Sequence, residues 1–108
     1  MIKRVTHPDR PAFQLRKGEE GLSVFVREAV DPPLADEEIL AAFRADNIVV
    51  SRLESMVEEQ GLQLVPSSGS EKLPERLRDS HYEIRAGMNQ DRATFKKALT
   101  SLEVNYGN

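Results

Sequence analysis

The sequence predicts a single domain, residues 1–108, of the α+β class: a small, mainly antiparallel or mixed sheet packed against about three helices. Residues 81–85 alternate between polar and apolar, which is the two-residue period of a half-buried strand. Between residues 91 and 102 the apolar side chains recur with the i, i+3, i+4, i+7 spacing of an amphipathic helix. The predicted strands and helices do not strictly alternate along the chain, which favours α+β over a parallel α/β fold.

Two strands are predicted at residues 12–15 and 22–27, joined by a loop that contains two glycines. Such a loop suits a hairpin because glycine readily adopts positive φ. In the second strand one face is aliphatic, whereas the other carries Ser23, Phe25 and Arg27. The presence of Phe25 predicts that this second face of the sheet is at least partly covered.

The remaining elements are predicted from capping and periodicity. Ser51 and Glu54 match the capping-box pattern, which predicts a helix from Ser51 that stops at Gly61. Further predictions are strands at 1–6 and 62–65, a helix from 33–36 to 44, a helical turn within 73–79, and a brief strand or apolar anchor at 47–50. Residues 105–108 are predicted to fray.

The connection between Pro66 and His81 is about 14 residues long, which exceeds the usual loop of a compact domain. It begins with small and polar residues, among them Gly69. A loop of this length either decorates the surface or acts as a lid over a functional site. The sequence leaves both interpretations open.

The composition argues against several classes of protein. With 15 Lys+Arg and 18 Asp+Glu the net charge is −3, whereas nucleic-acid binders usually carry a basic excess or stripe, so nucleic acid is not an expected partner. The absence of cysteine excludes disulfides, thiolate zinc sites and cysteine nucleophiles. With two histidines, neither a metal site nor a cofactor is predicted.

The hydropathy pattern gives no sign of a membrane partner. No window approaches 18 apolar residues, and residues 1–6 lack the apolar run of a signal peptide. A soluble, cytoplasmic protein is therefore expected.

One face of the predicted strand at 81–85 carries the candidate chemistry. His81, Glu83 and Arg85 would follow one another at roughly 7 Å along this face. Such a row of groups could bind an anion or move protons. The alternative is a solvent-facing strand with cross-strand charge pairs, which is common on small sheets.

In the functional interpretation His81 is the general acid or base and Glu83 is the carboxylate that orients or assists it. Ser23 would contact the substrate. Three arginines are candidates for a phosphate clamp: Arg16, Arg27 and Arg85.

Residues 13–25, with the sequence Phe-Gln-Leu-Arg-Lys-Gly-Glu-Glu-Gly-Leu-Ser-Val-Phe, and residues 81–85, His-Tyr-Glu-Ile-Arg, carry a family resemblance. They resemble a family of small, functionally uncharacterised bacterial proteins, which have an early Gly-Leu-Ser-Val-like strand and a late strand that opens with His. The resemblance covers most of the chain. It implies a bacterial origin and no particular activity.

The order of several residues is also similar to that in small bacterial toxins with an ADP-ribosyltransferase-like fold. These toxins place an early arginine or histidine, a serine on a following strand and a late catalytic residue around NAD. The resemblance implies these positions for Arg4, Ser23 and His81 or Glu83. The contiguous His81, Tyr82 and Glu83 are not that superfamily's triad, because neighbouring strand residues point to opposite faces.

Three classes of function remain open. The first is a protein-interaction module, from a toxin–antitoxin or secretion-linked locus, that binds a partner protein or forms a homo-oligomer. The second is a small enzyme or toxin that uses His81 on a nucleotide, NAD or RNA phosphate substrate. The third, a nucleic-acid binder without chemistry, requires the scattered basic residues to form one continuous face. The sequence favours the first over the second, and both over the third.

Overall fold

The structure, a computed structural model, describes residues 1–104 (Val104 by its backbone), so the predicted fraying of residues 105–108 lies outside the described residues. A five-stranded sheet has the strand order β3-β1-β2-β5-β4, and each neighbouring pair is antiparallel. The strands are β1 (Ile2–Thr6), β2 (Gly21–Val26), β3 (Ile48–Arg52), β4 (Gln63–Pro66) and β5 (His81–Arg85). The predicted α+β class with a mainly antiparallel sheet is confirmed.

Four α-helices are present in the described part of the chain, together with a 3₁₀ turn at Arg27–Ala29. The helices are α1 (Asp36–Leu40), α2 (Glu54–Glu59), α3 (Glu75–Asp79) and α4 (Arg92–Val104). None of these helices is both long and apolar enough to cross a lipid bilayer.

The larger core lies on the face of the sheet that α2 and α4 cover. It contains the aliphatic side of β2 and the periodic stripe of α4, because both place their apolar residues on a single side. Fully buried members include Ile2, Leu22, Val24, Ile84, Leu99 and Leu102.

A smaller core covers the opposite face. Phe25 of β2 packs there with Leu34, with Ile39 of α1 and with Leu77 of α3. The prediction that the Phe25 face is partly covered is confirmed, since Phe25 is buried. Both faces of the sheet therefore carry apolar packing.

The neighbouring strands β1 and β2 pair over a short distance only. Their register includes Ile2 opposite Val26 and Lys3 opposite Phe25, whereas β1 pairs with β3 along its whole length. Beyond Lys3 the Arg4 side chain occupies the gap between the parting strands. Its Nε donates to the Ala12 carbonyl at 2.9 Å, and its Nη1 donates to the Ser23 carbonyl at 2.9 Å.

The predicted strand at residues 12–15 is wrong, because this segment is irregular. Its apolar side chains are nevertheless buried in the larger core, including Phe13. The backbone is satisfied by side chains instead of a strand partner: the Phe13 amide donates to Glu103 Oε1 at 2.8 Å.

The predicted capping box at Ser51 is also wrong. Ser51 belongs to β3, its Oγ accepts a hydrogen bond from Lys3 Nζ at 2.7 Å, and α2 begins three residues later. Five residue pairs between β1 and β3 outweigh a local helix signal. The helix predicted to extend to residue 44 ends at Leu40.

Candidate functional site

A cavity of about 490 Å³ lies on the smaller-core face, where β1 and β2 part. Its volume is within the range of small-molecule binding pockets. The wall combines side chains of different character: Arg4, Val5, Ser23, Phe25, Phe43, Ser67, Gly69, Ser70, Leu73, His81 and Glu83.

The polar floor of the cavity is made by β2 and β5. Ser23 lies opposite Glu83, and Phe25 lies opposite His81 in the antiparallel register. Residues directly opposite each other point to the same side of a sheet, so these four side chains form one continuous group. The geometry therefore unites Ser23, His81 and Glu83, three of the residues that the sequence proposed.

His81 is held in a defined orientation. The residue is only 8% exposed, and its ring packs edge-on against Phe25 with 5.5 Å between ring centroids. Its Nδ1 lies 3.0 Å from the Ser67 carbonyl oxygen. A carbonyl oxygen can only accept a hydrogen bond, so Nδ1 carries the proton, and Nε2 of the neutral ring is the acceptor.

The loop after β4 is packed directly on this histidine. Gly69 has a positive φ of 65°, and a Cβ atom at this position would come within 3.0 Å of His81 Cγ. A residue with a side chain would meet both backbone strain and a steric conflict here. The long connection thus forms a wall of the cavity at Ser67, Gly69 and Ser70.

Arg4 supplies the positive charge of the cavity. Burial lowers the pKa of its guanidinium from the ordinary value, with an opposing effect of Glu19 at longer range, but an arginine remains charged at neutral pH. Within residues 1–104 no carboxylate lies within 4 Å of this guanidinium. Partly buried charges in proteins usually have a counter-charge, so this position favours an anion.

The other wall of the cavity is apolar. Phe25 and Phe43 meet edge to face with their ring centroids 6.1 Å apart, and Val5 and Leu73 extend this surface. Phe43 is 37% exposed and lies beyond the end of α1, although the sequence predicted a helix as far as residue 44. Aromatic walls of this kind accept flat rings by stacking or edge contacts.

The three arginines that the sequence proposed as a phosphate clamp do not line this cavity. Arg85 forms an ion pair with Glu83, with Nη2 at 2.8 Å and Nε at 3.0 Å from the carboxylate Oε1. Arg27 lies 3.5 Å from the carboxylate of Glu28. Arg16 lines a second cavity, next to the first.

Sequence reasoning from composition and periodicity did not select Arg4, Phe43 or Gly69 for the site. The length of the connection before His81 was the available signal for Gly69. Arg4 was identified only through the toxin resemblance; it lines the cavity together with Ser23 and with both alternatives for the late residue, His81 and Glu83.

Comparison of the chain with protein-family models, with curated proteins and with solved structures gives no match. Within the described residues, no group of three His, Asp or Glu side chains is arranged to hold a metal ion. The case for a function therefore depends on the geometry of the cavity alone.

Proposed function

We propose that the cavity binds a phosphate-bearing nucleotide and that the protein is a small enzyme acting on it. The observation that carries the proposal is Arg4, a cation without a carboxylate within 4 Å among residues 1–104, in the same cavity as the oriented His81. The expected bacterial origin and cytoplasmic location form part of the same proposal.

Each group in the cavity has a role in this proposal. Arg4 binds a phosphate, because guanidinium groups match phosphate oxygens in charge and geometry. Phe25 and Phe43 contact the flat base. His81 accepts a proton through Nε2, and the oxygens of Ser23 and Glu83 bind sugar hydroxyls or the attacking group.

This enzyme now ranks above the interaction module that the sequence favoured. An interaction surface would be supported by a large exposed apolar patch. The large apolar side chains that are most exposed in the described part of the chain are Phe43, Ile48, Leu53 and Met88. They stand on different segments, and Phe43 belongs to the cavity.

The proposal is tested by an NMR titration of the His81 ring with inorganic phosphate, AMP, NAD and a short RNA. We expect at least one of these probes to shift the His81 resonances together with the amides of Ser23 and Gly69. Shifts confined to surface residues away from the cavity, or no shifts at all, would contradict the proposal.

Two variants separate binding from chemistry. In His81→Asn the amide nitrogen can still donate to the Ser67 carbonyl, but the Nε2 acceptor is lost. We expect this variant to fold and to bind the probe that shifts His81 in the titration, but to lose turnover of that probe.

Arg4→Lys should weaken phosphate binding, because a lysine cannot reproduce both hydrogen bonds of Arg4 and also hold an anion. The matched control is Lys96→Ala. Lys96 is an exposed residue of α4, the helix that covers the opposite face of the sheet.

A further inference from the structure

A second cavity, of about 290 Å³, adjoins the first and shares Arg4 and Val5 with it. In contrast to the first cavity, its wall is mostly polar and basic. Besides Arg4 of β1, arginines reach it from two segments: Arg10 and Arg16 from the region between β1 and β2, and Arg44 from the turn after α1.

Among residues 1–104 the arginines of this cavity differ from Arg27, Arg76 and Arg85, each of which has a carboxylate within 4 Å. Within residues 1–104, Arg4, Arg10, Arg16 and Arg44 have no carboxylate within 4 Å, whereas Arg76 lies 2.7 Å from Glu38. In a chain with a net charge of −3, acidic groups are available, so this clustering of unneutralised cations is unexpected.

The carboxylate in the wall of the second cavity, that of Asp46, faces His7 of the same wall. Asp46 Oδ2 lies 3.5 Å from Nε2 of His7, and His7 Nδ1 accepts a hydrogen bond from the Asp9 amide at 3.2 Å. Nδ1 therefore acts as an acceptor, so the ring proton is on Nε2, which faces Asp46. Asp46 keeps its negative charge, but four arginines against this one carboxylate leave the wall of the cavity with a net positive charge.

We infer that the two cavities form one site for a ligand with a diphosphate or a longer chain of phosphates. Arg4 lies at the junction and contacts the phosphate nearest the nucleoside, and Arg10, Arg16 and Arg44 contact the next. The inference rests on the proposed function and specifies its substrate class. A diphosphate is favoured over a nucleic-acid chain because Asp9, Glu19 and Asp46 flank the arginines and prevent a continuous basic stripe.

The test compares the dissociation constants of inorganic phosphate, pyrophosphate, AMP, ADP, NAD and an RNA tetranucleotide, measured by calorimetry. We expect the extra phosphate to tighten binding by about tenfold, both from phosphate to pyrophosphate and from AMP to ADP. Arg10→Gln combined with Arg44→Gln should abolish this gain and leave AMP affinity unchanged. Arg78→Gln is the matched control, since it removes an exposed arginine outside both of these cavities. Comparison of ADP with NAD shows whether the site accepts a diphosphate that ends in a free phosphate or one that links two nucleosides.

The outcomes separate this inference from the proposed function. AMP binding that shifts His81, without a gain for ADP, would overturn the inference and leave the proposed function in place. A gain that persists in the Arg10 and Arg44 double variant would also overturn it. If none of the probes binds, both the inference and the proposed function are overturned. If an RNA tetranucleotide binds more tightly than ADP, the ligand is a nucleic-acid strand and the diphosphate inference is overturned.

Discussion

Arg52 connects the end of β3 to the C-terminal part of α4. It is only 4% exposed, and its Nε donates to the Leu102 carbonyl at 2.7 Å. Its guanidinium also lies 5.0 Å from the ring centroid of Phe13. This hydrogen bond from a buried cation ties the end of β3 to the last described turn of α4.

The Arg52 Nη1 also donates to the Ser51 carbonyl at 2.8 Å. We expect Arg52→Ala to lower the free energy of unfolding by roughly 2–4 kcal/mol, because both of these charge-assisted hydrogen bonds and the Phe13 contact are lost together. Arg52→Lys should recover part of this loss. Urea denaturation measures both effects. A variant as stable as the wild type would show that these contacts contribute nothing net.

Asp91 caps α4 at its first turn. Its Oδ1 accepts a hydrogen bond from the Thr94 amide at 2.8 Å, and this bond lowers the pKa of the Asp91 carboxyl below its ordinary value. A carboxyl with a lowered pKa in the folded state stabilises the fold above its unfolded pKa near 4. This contribution is lost as the pH falls through the lowered value.

We therefore expect Asp91→Ala to lower the melting temperature at pH 7, with a difference from wild type that shrinks as the pH falls below about 4. Asp91→Asn is the control, because its amide oxygen can accept the same hydrogen bond without titrating. Melting curves at several pH values give the answer. A difference that does not change with pH would assign the effect to something other than the charge.

At the scale of elements, the loop from Ser67 to Ser70 and the strand β5 act as one unit. The Ser67 carbonyl accepts a hydrogen bond from Nδ1 of the His81 ring, and the Ser67 amide donates to the His81 carbonyl at 3.0 Å. Gly69 allows the loop to lie against the ring. The orientation of the candidate acid–base group therefore depends on a loop distant in sequence.

Gly69 and Gly18 provide a matched pair for this contact. Both have positive φ, but a Cβ atom at Gly18 would meet nothing within 4 Å. We expect Gly18→Ala to cost about 1 kcal/mol from backbone strain alone. Gly69→Ala should cost more and should also shift the His81 resonances. Equal costs, with an unchanged His81 spectrum, would show that the loop does not position the ring.

Elements with strong local periodicity were predictable from the sequence. The strand at residues 81–85 has the predicted bounds, and the helix predicted at 91–102 corresponds to α4. Two elements were not predictable, because contacts between distant parts of the chain determine them. Ser51 pairs with β1 as part of a strand instead of starting a helix. The segment 12–15 is buried as irregular chain, with the Phe13 amide bonded to Glu103, instead of forming a strand.

The candidate site was predictable only in part, for a related reason. Because side chains alternate along a strand, Ser23 and His81 come to the same face of the sheet once β2 pairs with β5 in the observed register. Arg4 does not follow this rule, since Arg4 and its neighbour Val5 both line the cavity. The Arg4 side chain reaches through the gap between β1 and β2, and the position of such a gap depends on the strand register.

For the molecule as a whole, the sheet separates two kinds of packing. The face covered by α2 and α4 is filled by the larger core, and the face covered by α1 and α3 has a smaller core beside the cavity. Large side chains on the α4 face are buried without lining the cavity, as Leu99 illustrates.

We expect Leu99→Ala to lower the free energy of unfolding by about 2–5 kcal/mol, the usual range for a fully buried leucine. The dissociation constant of the probe that responds in the His81 titration should change less than about twofold, because the sheet lies between the two sites. Denaturation and calorimetry on the same sample measure both. Leu99→Val is the milder variant if the alanine form does not fold, and a large loss of affinity in either would contradict this separation.

The two-sided sheet also gives the protein a useful property as an engineering scaffold. Directed evolution commonly fails when substitutions that reshape a pocket exhaust the stability of the fold. Here the α4 side could first be optimised for thermal tolerance, without a screen for binding. Libraries at Phe43, Leu73 and Ser70 could then be screened for new ligands, because the added stability offsets the free energy of unfolding that each substitution loses.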